Sequence, residues 1–154
     1  MENDEKRLLA EDSLTSREKL IQLASDSDID VRRAVAGNRR SPAQLLEQLS
    51  NDDSEWVRWD VAQNPNTPKS VLEKFAKSRD KLVRIAVARS LFTPSDILIK
   101  LSQEKSIDVR REVAYNPNTP IEILRLLASD KNPYVRGAVA QNPVTPDEIR
   151  NHLS

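Results

Sequence analysis

The most regular stretch of this chain runs from Val109 to Leu127 and reads VRREVAYNPNTPIEILRLL. The dipeptide that opens it returns at a constant step of 26 residues. The five copies are Val31-Arg32, Val57-Arg58, Val83-Arg84, Val109-Arg110 and Val135-Arg136. Pro120 follows the same step in both directions, from Pro42 to Pro146. An internal period of this length indicates repeats that stack on one another and bury a shared core.

The period accounts for all 154 residues. Residues 1–24 match it only in part, because Glu5 and Lys6 occupy the positions of Val and Arg, so we interpret them as a degenerate N-terminal cap repeat. The five full repeats cover residues 25–50, 51–76, 77–102, 103–128 and 129–154. Polar residues at the end of the last repeat predict a second cap. We therefore expect a single, complete repeat domain over residues 1–154.

Each repeat predicts two short helices. The first should begin after a capping residue three positions before the Val, and it should end at Asn or Ser. The caps are Asp28, Ser54, Asp80, Ser106 and Asn132, and the end residues are Asn38, Asn64, Ser90, Asn116 and Asn142. The second should begin with Ser or Thr as N-cap and Pro at the first helical position. Its apolar residues then form one helical stripe, as in Leu45, Leu46 and Leu49.

These columns resemble the leucine-rich repeat variant family, and they share elements with HEAT-like repeats. The residues that carry the resemblance are Val109-Arg110, Val113-Ala114, Asn116-Pro117, Thr119-Pro120, Leu124 and Leu127. The likeness covers residues 15–154, although Arg39-Arg40 and Leu91-Phe92 depart from its Pro-Asn turn. It implies an all-α, right-handed helical-repeat solenoid, an α-α superhelix in which one helix of each repeat can be 3₁₀. It implies little about function.

Composition excludes several kinds of chemistry. The chain has no Cys and 1 His, so thiolate and multi-His metal sites are excluded. Its 2 Gly lie far apart, which excludes glycine-rich phosphate loops. No nucleophile and base stand in a recognisable pattern. We therefore predict a protein that is not an enzyme and has no metal, cofactor or catalytic residues.

The N-terminus, Met1-Glu2-Asn3-Asp4, does not have the charge and apolar run of a signal peptide. Apolar runs elsewhere are only a few residues long, too short to span a membrane. These features predict a cytoplasmic protein without a membrane partner.

The variable side of the first helix is the candidate binding surface. On a helical projection the Val, Arg and Ala columns share one arc, and the opposite arc varies between repeats. Apolar residues gather there in two adjacent repeats: Trp56, Trp59, Leu82 and Ile85. Rim candidates are Arg89, Arg111 and Tyr115. This patch predicts a protein–protein interaction module or scaffold, with a homodimer through the patch as a variant. The alternative is that these side chains belong to a wider core.

The Arg column has two interpretations. Its members are Arg32, Arg58, Arg84, Arg110 and Arg136. Acidic residues precede four of them by six positions, which favours a structural Arg–carboxylate or Arg–carbonyl ladder. The alternative is nucleic-acid binding, for which a basic edge could also use Arg39, Arg40, Arg89 and Arg111. The net charge of zero disfavours nucleic acid.

Overall fold

The computed structural model describes residues 2–153 and contains twelve α-helices and no strand within that range. Each repeat contributes two of them, a first helix and a second helix. Their bounds are α1 Asn3–Glu11, α2 Arg17–Leu23, α3 Ile29–Gly37, α4 Ala43–Leu49, α5 Glu55–Gln63, α6 Lys69–Ala76, α7 Lys81–Arg89, α8 Ser95–Leu101, α9 Ile107–Tyr115, α10 Ile121–Leu127, α11 Pro133–Gln141 and α12 Asp147–Asn151.

The predicted all-α repeat fold is confirmed, and the degenerate repeat at residues 1–24 also carries a helix pair. Every first helix has nine residues, and the second helices are shorter, such as the seven residues of α4. Both helices are α-helical throughout residues 2–153. The 3₁₀ geometry that the family resemblance allows is therefore not adopted in this range.

The chain divides into two compact units, Met1–Leu72 and Glu73–Ser154. In the first unit the first helices α1, α3 and α5 pack side by side, and α2 and α4 lie against them. In the second unit α7, α9 and α11 do the same, with α8, α10 and α12 against them. Neighbouring repeats within each unit therefore bury each other's apolar faces, as a stacked array requires.

The core consists of the apolar columns of both helices. Val31, Val35 and Ala36 of α3 are fully buried, and the equivalent residues of the other full repeats are buried almost throughout. The second helices contribute the stripe that includes Leu45 and Leu46. Burying one such aliphatic side chain stabilises the fold by about 1.5–3 kcal/mol. Short helices that are unstable alone become stable because each repeat supplies several of these residues.

The predicted N-caps of the first helices are confirmed in position. The side chains of Asp28, Asp80 and Asn132 each accept a hydrogen bond from the backbone N–H two residues later, at 2.8–2.9 Å. Ser54 and Ser106 occupy the cap position without a side-chain bond to the helix. Pro133 stands at the first helical position of α11, where its missing N–H has no cost.

The predicted start of the second helices is wrong by one residue. In α4, α8, α10 and α12 the N-cap is the proline, with extended backbone angles, and its carbonyl accepts the first helical hydrogen bonds. The preceding Ser or Thr does not cap. Its buried hydroxyl turns back and donates to the carbonyl of the last Val of the first helix, as from Thr119 to Val113 over 2.6 Å. The hydroxyl thus closes the turn between the two helices.

The Asn at the end of a first helix joins two repeats. Asn64 donates through its side-chain amide to the carbonyl oxygens of Ala36 and Asn38 in the preceding repeat, over 2.6 and 2.9 Å. Asn38, Asn116 and Asn142 make the same pair of bonds. The sequence predicts these residues only as helix ends. Their amides also satisfy backbone carbonyls that the preceding first helix leaves free at its C-terminus.

Candidate functional site

The Arg column lies against the loop that precedes each first helix. In each full repeat one guanidinium nitrogen, Nη1, donates to the backbone carbonyl six residues earlier. In Arg32 this bond reaches Asp26 over 2.9 Å, and a second bond reaches Ser27. These contacts fold the loop around the guanidinium group.

The carboxylate partner comes from the next repeat, 20 residues later. Arg32 pairs with Asp52 through two bonds of 2.7 and 3.1 Å, and Arg110 pairs with Asp130 at the same two distances. In the degenerate repeat Lys6 occupies the Arg position and pairs with Asp26 over 2.8 Å. The hydrogen bond from Arg110 lowers the pKa of Asp130. An acidic residue thus offers its carbonyl to one repeat and its carboxylate to another.

The pair at Arg84 is looser than the pairs at Arg32 and Arg110. Arg84 lies 3.5 Å from the nearest carboxylate oxygen of Glu104, which takes the place of Asp in this repeat. The Nε atom of Arg84 is buried and makes no hydrogen bond among residues 2–153. Glutamate has one more methylene than aspartate, and here its carboxylate does not form the two-bond pair that Asp130 forms with Arg110.

In the first unit, Trp56 is the exposed aromatic residue of α5. Its side chain is 49% exposed, whereas Trp59 is half-buried. The guanidinium carbon of Arg33, on the neighbouring α3, lies 5.9 Å from the Trp56 ring centroid, within the range of a cation–π contact. Arg33 also donates to Asp60 over 2.8 Å. Burial raises the pKa of Asp60, and its hydrogen bond to Arg33 acts in the opposite direction.

A shallow groove runs past the Trp56 ring. Ile29 at the start of α3, which is 46% exposed, lines it with Trp56. The exposed Asp53 and Glu55 also line it, and their side chains make no hydrogen bond or ion pair among the described residues. Arg32 and Arg58 line the groove as well, so its apolar wall is bordered by charges of both signs.

The second unit holds the other five predicted contact residues. Leu82 and Ile85 of α7 are half-buried. Arg89 and Tyr115 are exposed and line one cavity together with Leu91. Thus the second unit brings two of the three rim candidates into one site. The four-residue patch of Trp56, Trp59, Leu82 and Ile85 has two members in each unit and stays a prediction.

The third rim candidate, Arg111, is engaged by acidic side chains. It lies 3.3 Å from Glu112 and 3.8 Å from Asp108. Lys81 in turn lies 3.0 Å from Asp108. The predicted basic edge is therefore partly neutralised at Arg111. Arg39 and Arg40 are exposed at the turn after α3 in the first unit.

Arg33 and Ile29 lie beside Trp56 but are not among the contact residues predicted from the sequence. Arg33 stands two residues after Val31. The helical projection therefore places it on the variable arc, the side of the helix that carries Trp56. Ile29 is the first residue of α3, just after the cap, and its side chain is exposed. No feature of the sequence distinguishes it as a binding residue.

Residues 2–153 carry neither a cluster that could hold a metal ion nor a helix that could span a membrane. No group of three or more His, Asp and Glu side chains stands close enough to hold a metal ion in this range. Among the same residues, the helices are all too short and too polar to cross a bilayer.

Comparisons with known proteins agree with the resemblance in the repeat columns. The family model described as leucine rich repeat variant matches residues 107–132, the stretch around Val109 to Leu127. Among solved structures, a leucine-rich repeat variant described as having a novel repetitive protein structural motif matches with a TM-score of 0.68 and 29% identity. The match covers 99% of this chain and 66% of that one, so this chain spans about two thirds of its length. No curated protein matches the chain.

Proposed function

We propose that this leucine-rich repeat variant chain is a non-enzymatic scaffold that binds a protein or peptide on the accessible face of its first helices. The family and the fold support a structural or interaction role in general. The face proposed here is the part of each first helix that the stacking within a unit leaves accessible. Its residues vary between repeats, so they are free to match a partner while the buried columns hold the array together.

The exposure of Trp56 is the observation that carries the proposal. A half-exposed Trp presents a large apolar area to solvent, and Trp is enriched among the residues that dominate binding energy at interfaces. Its ring is held in place, because Arg33 lies over it and is itself bound to Asp60. A side chain that is ordered before binding loses less conformational entropy when a partner covers it. The half-buried Trp59 would extend the apolar area that Trp56 offers to a partner.

The test is selection from a random peptide-display library with the full chain as bait. Peptides that bind the wild-type chain should lose about tenfold or more in affinity for Trp56→Ala, the effect of removing a binding hot spot. Tyr134→Ala is the matched control, because Tyr134 is an exposed aromatic residue at the equivalent position of α11. It should leave the binding of these peptides unchanged. Circular dichroism of both variants verifies that the helices remain.

Tryptophan fluorescence supplies a second measurement, because both Trp residues of the chain lie on α5. A bound peptide that covers Trp56 should shift the emission to shorter wavelength. Absence of selected peptides, or peptides that bind Trp56→Ala as well as wild type, would contradict the proposal. Light scattering tests the homodimer: a dimer that Trp56→Ala converts to monomer would identify a second copy of the chain as the partner.

A further inference from the structure

The second unit carries a cavity whose chemistry differs from that of the Trp56 groove. It lies between the ends of α7 and α9 and has a volume of about 350 Å³, at the lower end of the range for ligand pockets. Leu91, Tyr115 and Pro117 give it apolar walls, and Arg89 and Glu112 provide its charges. Arg89 and Tyr115 are equivalent residues of adjacent repeats, since they stand 26 positions apart.

Arg89 is the unsatisfied charge of this cavity. Its exposed guanidinium group makes no hydrogen bond or ion pair among residues 2–153. The carboxylate of Glu112, which also lines the cavity, pairs with Arg111 over 3.3 Å and forms no ion pair with Arg89 among the described residues. The hydroxyl of Tyr115 likewise has no hydrogen-bond partner in this range. Two free donors therefore face a cavity with apolar walls, which suits a carboxylate next to an apolar side chain.

Hydrogen bonds connect the residues of the turn beside the cavity. The side-chain amide of Asn118 donates to the carbonyl of Leu91 over 2.7 Å, which fixes the backbone of the exposed Leu91. The backbone N–H of Phe92 donates to Ser90, and that of Asn118 donates to Asn116. The turn thus offers no free cluster of backbone N–H groups of the kind that captures a peptide's terminal carboxylate. A side-chain carboxylate within a peptide fits better.

We propose that this cavity binds an acidic residue of a partner peptide, with the carboxylate on Arg89 and Tyr115 and a neighbouring apolar side chain against Leu91 and Pro117. The inference rests on the interaction function proposed above and specifies the partner's chemistry at a second contact point. A guanidinium group can form two parallel hydrogen bonds to a carboxylate, so the site discriminates Glu from Gln.

The probe is N-acetyl-Leu-Glu-amide, which carries the carboxylate and the apolar side chain without charged termini. It is titrated into the ¹⁵N-labelled full chain, and the amide signals are followed by NMR. Saturable shifts are expected at Leu91, Tyr115 and Asn116. N-acetyl-Leu-Gln-amide should bind about tenfold more weakly, because the charge-assisted bond is lost. N-acetyl-leucine, whose only carboxylate is its free C-terminus, tests the terminal source, and it should bind no better than the Gln probe.

Matched variants separate the cavity from general charge. Arg89→Gln should weaken binding of the Glu probe about tenfold, and Tyr115→Phe should weaken it by a smaller factor. Arg79→Gln removes the same charge from an exposed residue of this unit outside the cavity, and binding should be unchanged. Equal binding of the Glu and Gln probes, or shifts that do not map to the cavity, would overturn the proposal.

Two other occupants are outcomes of the same experiment. Equal shifts with a thymidine oligonucleotide would show that the site binds phosphate, and they would overturn the proposal that it binds an acidic peptide. A dimer in light scattering that Arg89→Gln dissociates would assign it to a second copy. Failure here with intact Trp56-dependent binding of selected peptides would leave the interaction function standing, because Trp56 and Arg89 lie in different units.

Discussion

The side-chain amide of Asn116 donates to the carbonyl oxygen of Ala88 in the preceding repeat, over 2.8 Å. Both residues are buried, and this is the hydrogen bond that satisfies the Ala88 carbonyl among the described residues. The same amide donates to the Ser90 carbonyl, while the side-chain oxygen of Asn116 accepts from the Asn118 N–H. One side chain thus connects two repeats and orders the turn that follows.

Asn116→Ala should therefore be strongly destabilising. It leaves a buried carbonyl without a partner and removes two further hydrogen bonds, so we expect a loss of about 3 kcal/mol in the free energy of unfolding. Urea denaturation followed by circular dichroism measures it. Asn118→Ala removes one exposed hydrogen bond and is the control, with an expected loss below about 1 kcal/mol. Equal losses in the two variants would show that the Asn116 bonds do not stabilise the array.

A substitution at Glu104 should strengthen the loose ion pair between Arg84 and Glu104. Glu104→Asp places the same residue type beside Arg84 that pairs through two bonds with Arg110, so the free energy of unfolding should rise by about 1 kcal/mol. The reverse change, Asp130→Glu, should lower it by a similar amount. Thermal denaturation of both variants is the measurement. A lower melting temperature for Glu104→Asp would mean that the aspartate cannot reach Arg84 from this loop.

The proposed structural role of the Arg column has its own test. Arg84→Ala should lower the melting temperature, because it removes the bonds to the Ser78 and Arg79 carbonyls that fold the loop before α7. The exposed Arg79, replaced by Ala, is the control. Loss of ligand binding with unchanged stability in Arg84→Ala would assign the column to recognition instead.

Acid should weaken the Arg110–Asp130 pair. The hydrogen bond from Arg110 holds the folded-state pKa of Asp130 below its unfolded value of about 3.9. The stabilisation is then complete above the unfolded pKa and is lost as the pH falls through the folded pKa. Asp130→Asn should make the free energy of unfolding less dependent on pH below about pH 4. Arg110→Gln, which removes the partner of Asp130 instead, should weaken the pH dependence in the same way.

The turn hydroxyl gives a test with minimal change in shape. Thr119→Val removes the hydrogen bond to the Val113 carbonyl but keeps the side-chain volume, so it should cost about 1 kcal/mol. Thr119→Ser keeps the hydroxyl and should cost less. If Val were tolerated without loss, the hydroxyl would have no part in closing the turn.

Local pattern in the sequence was enough to predict the helices. Val31 and Val35, four residues apart, mark a buried helical face, and Asp28 marks its start, because capping and helical periodicity involve residues close together in the chain. The sequence predicts Thr119 as the N-cap of α10, whereas the N-cap is Pro120. Residue type alone does not separate the two, because Thr is a common N-cap and Pro a common first helical residue. What distinguishes them is the bond of the Thr119 hydroxyl back to α9.

The candidate site was less predictable. The helical projection selected Trp56 and Arg89, but it could not show that Arg33 covers the Trp56 ring or that Arg89 is unpaired while Arg111 is not. Each of these depends on which side chain of a neighbouring helix comes within reach.

The sequence by itself determined the period, the helical class and the buried columns, because these follow from residue spacing along one helix. Only the tertiary structure showed that Asp130 gives its carbonyl to Arg136 and its carboxylate to Arg110. It likewise showed that Asn116 reaches back to Ala88. Such bonds depend on the offset between stacked helices, a distance that arises from side-chain packing and that no spacing within a single repeat encodes.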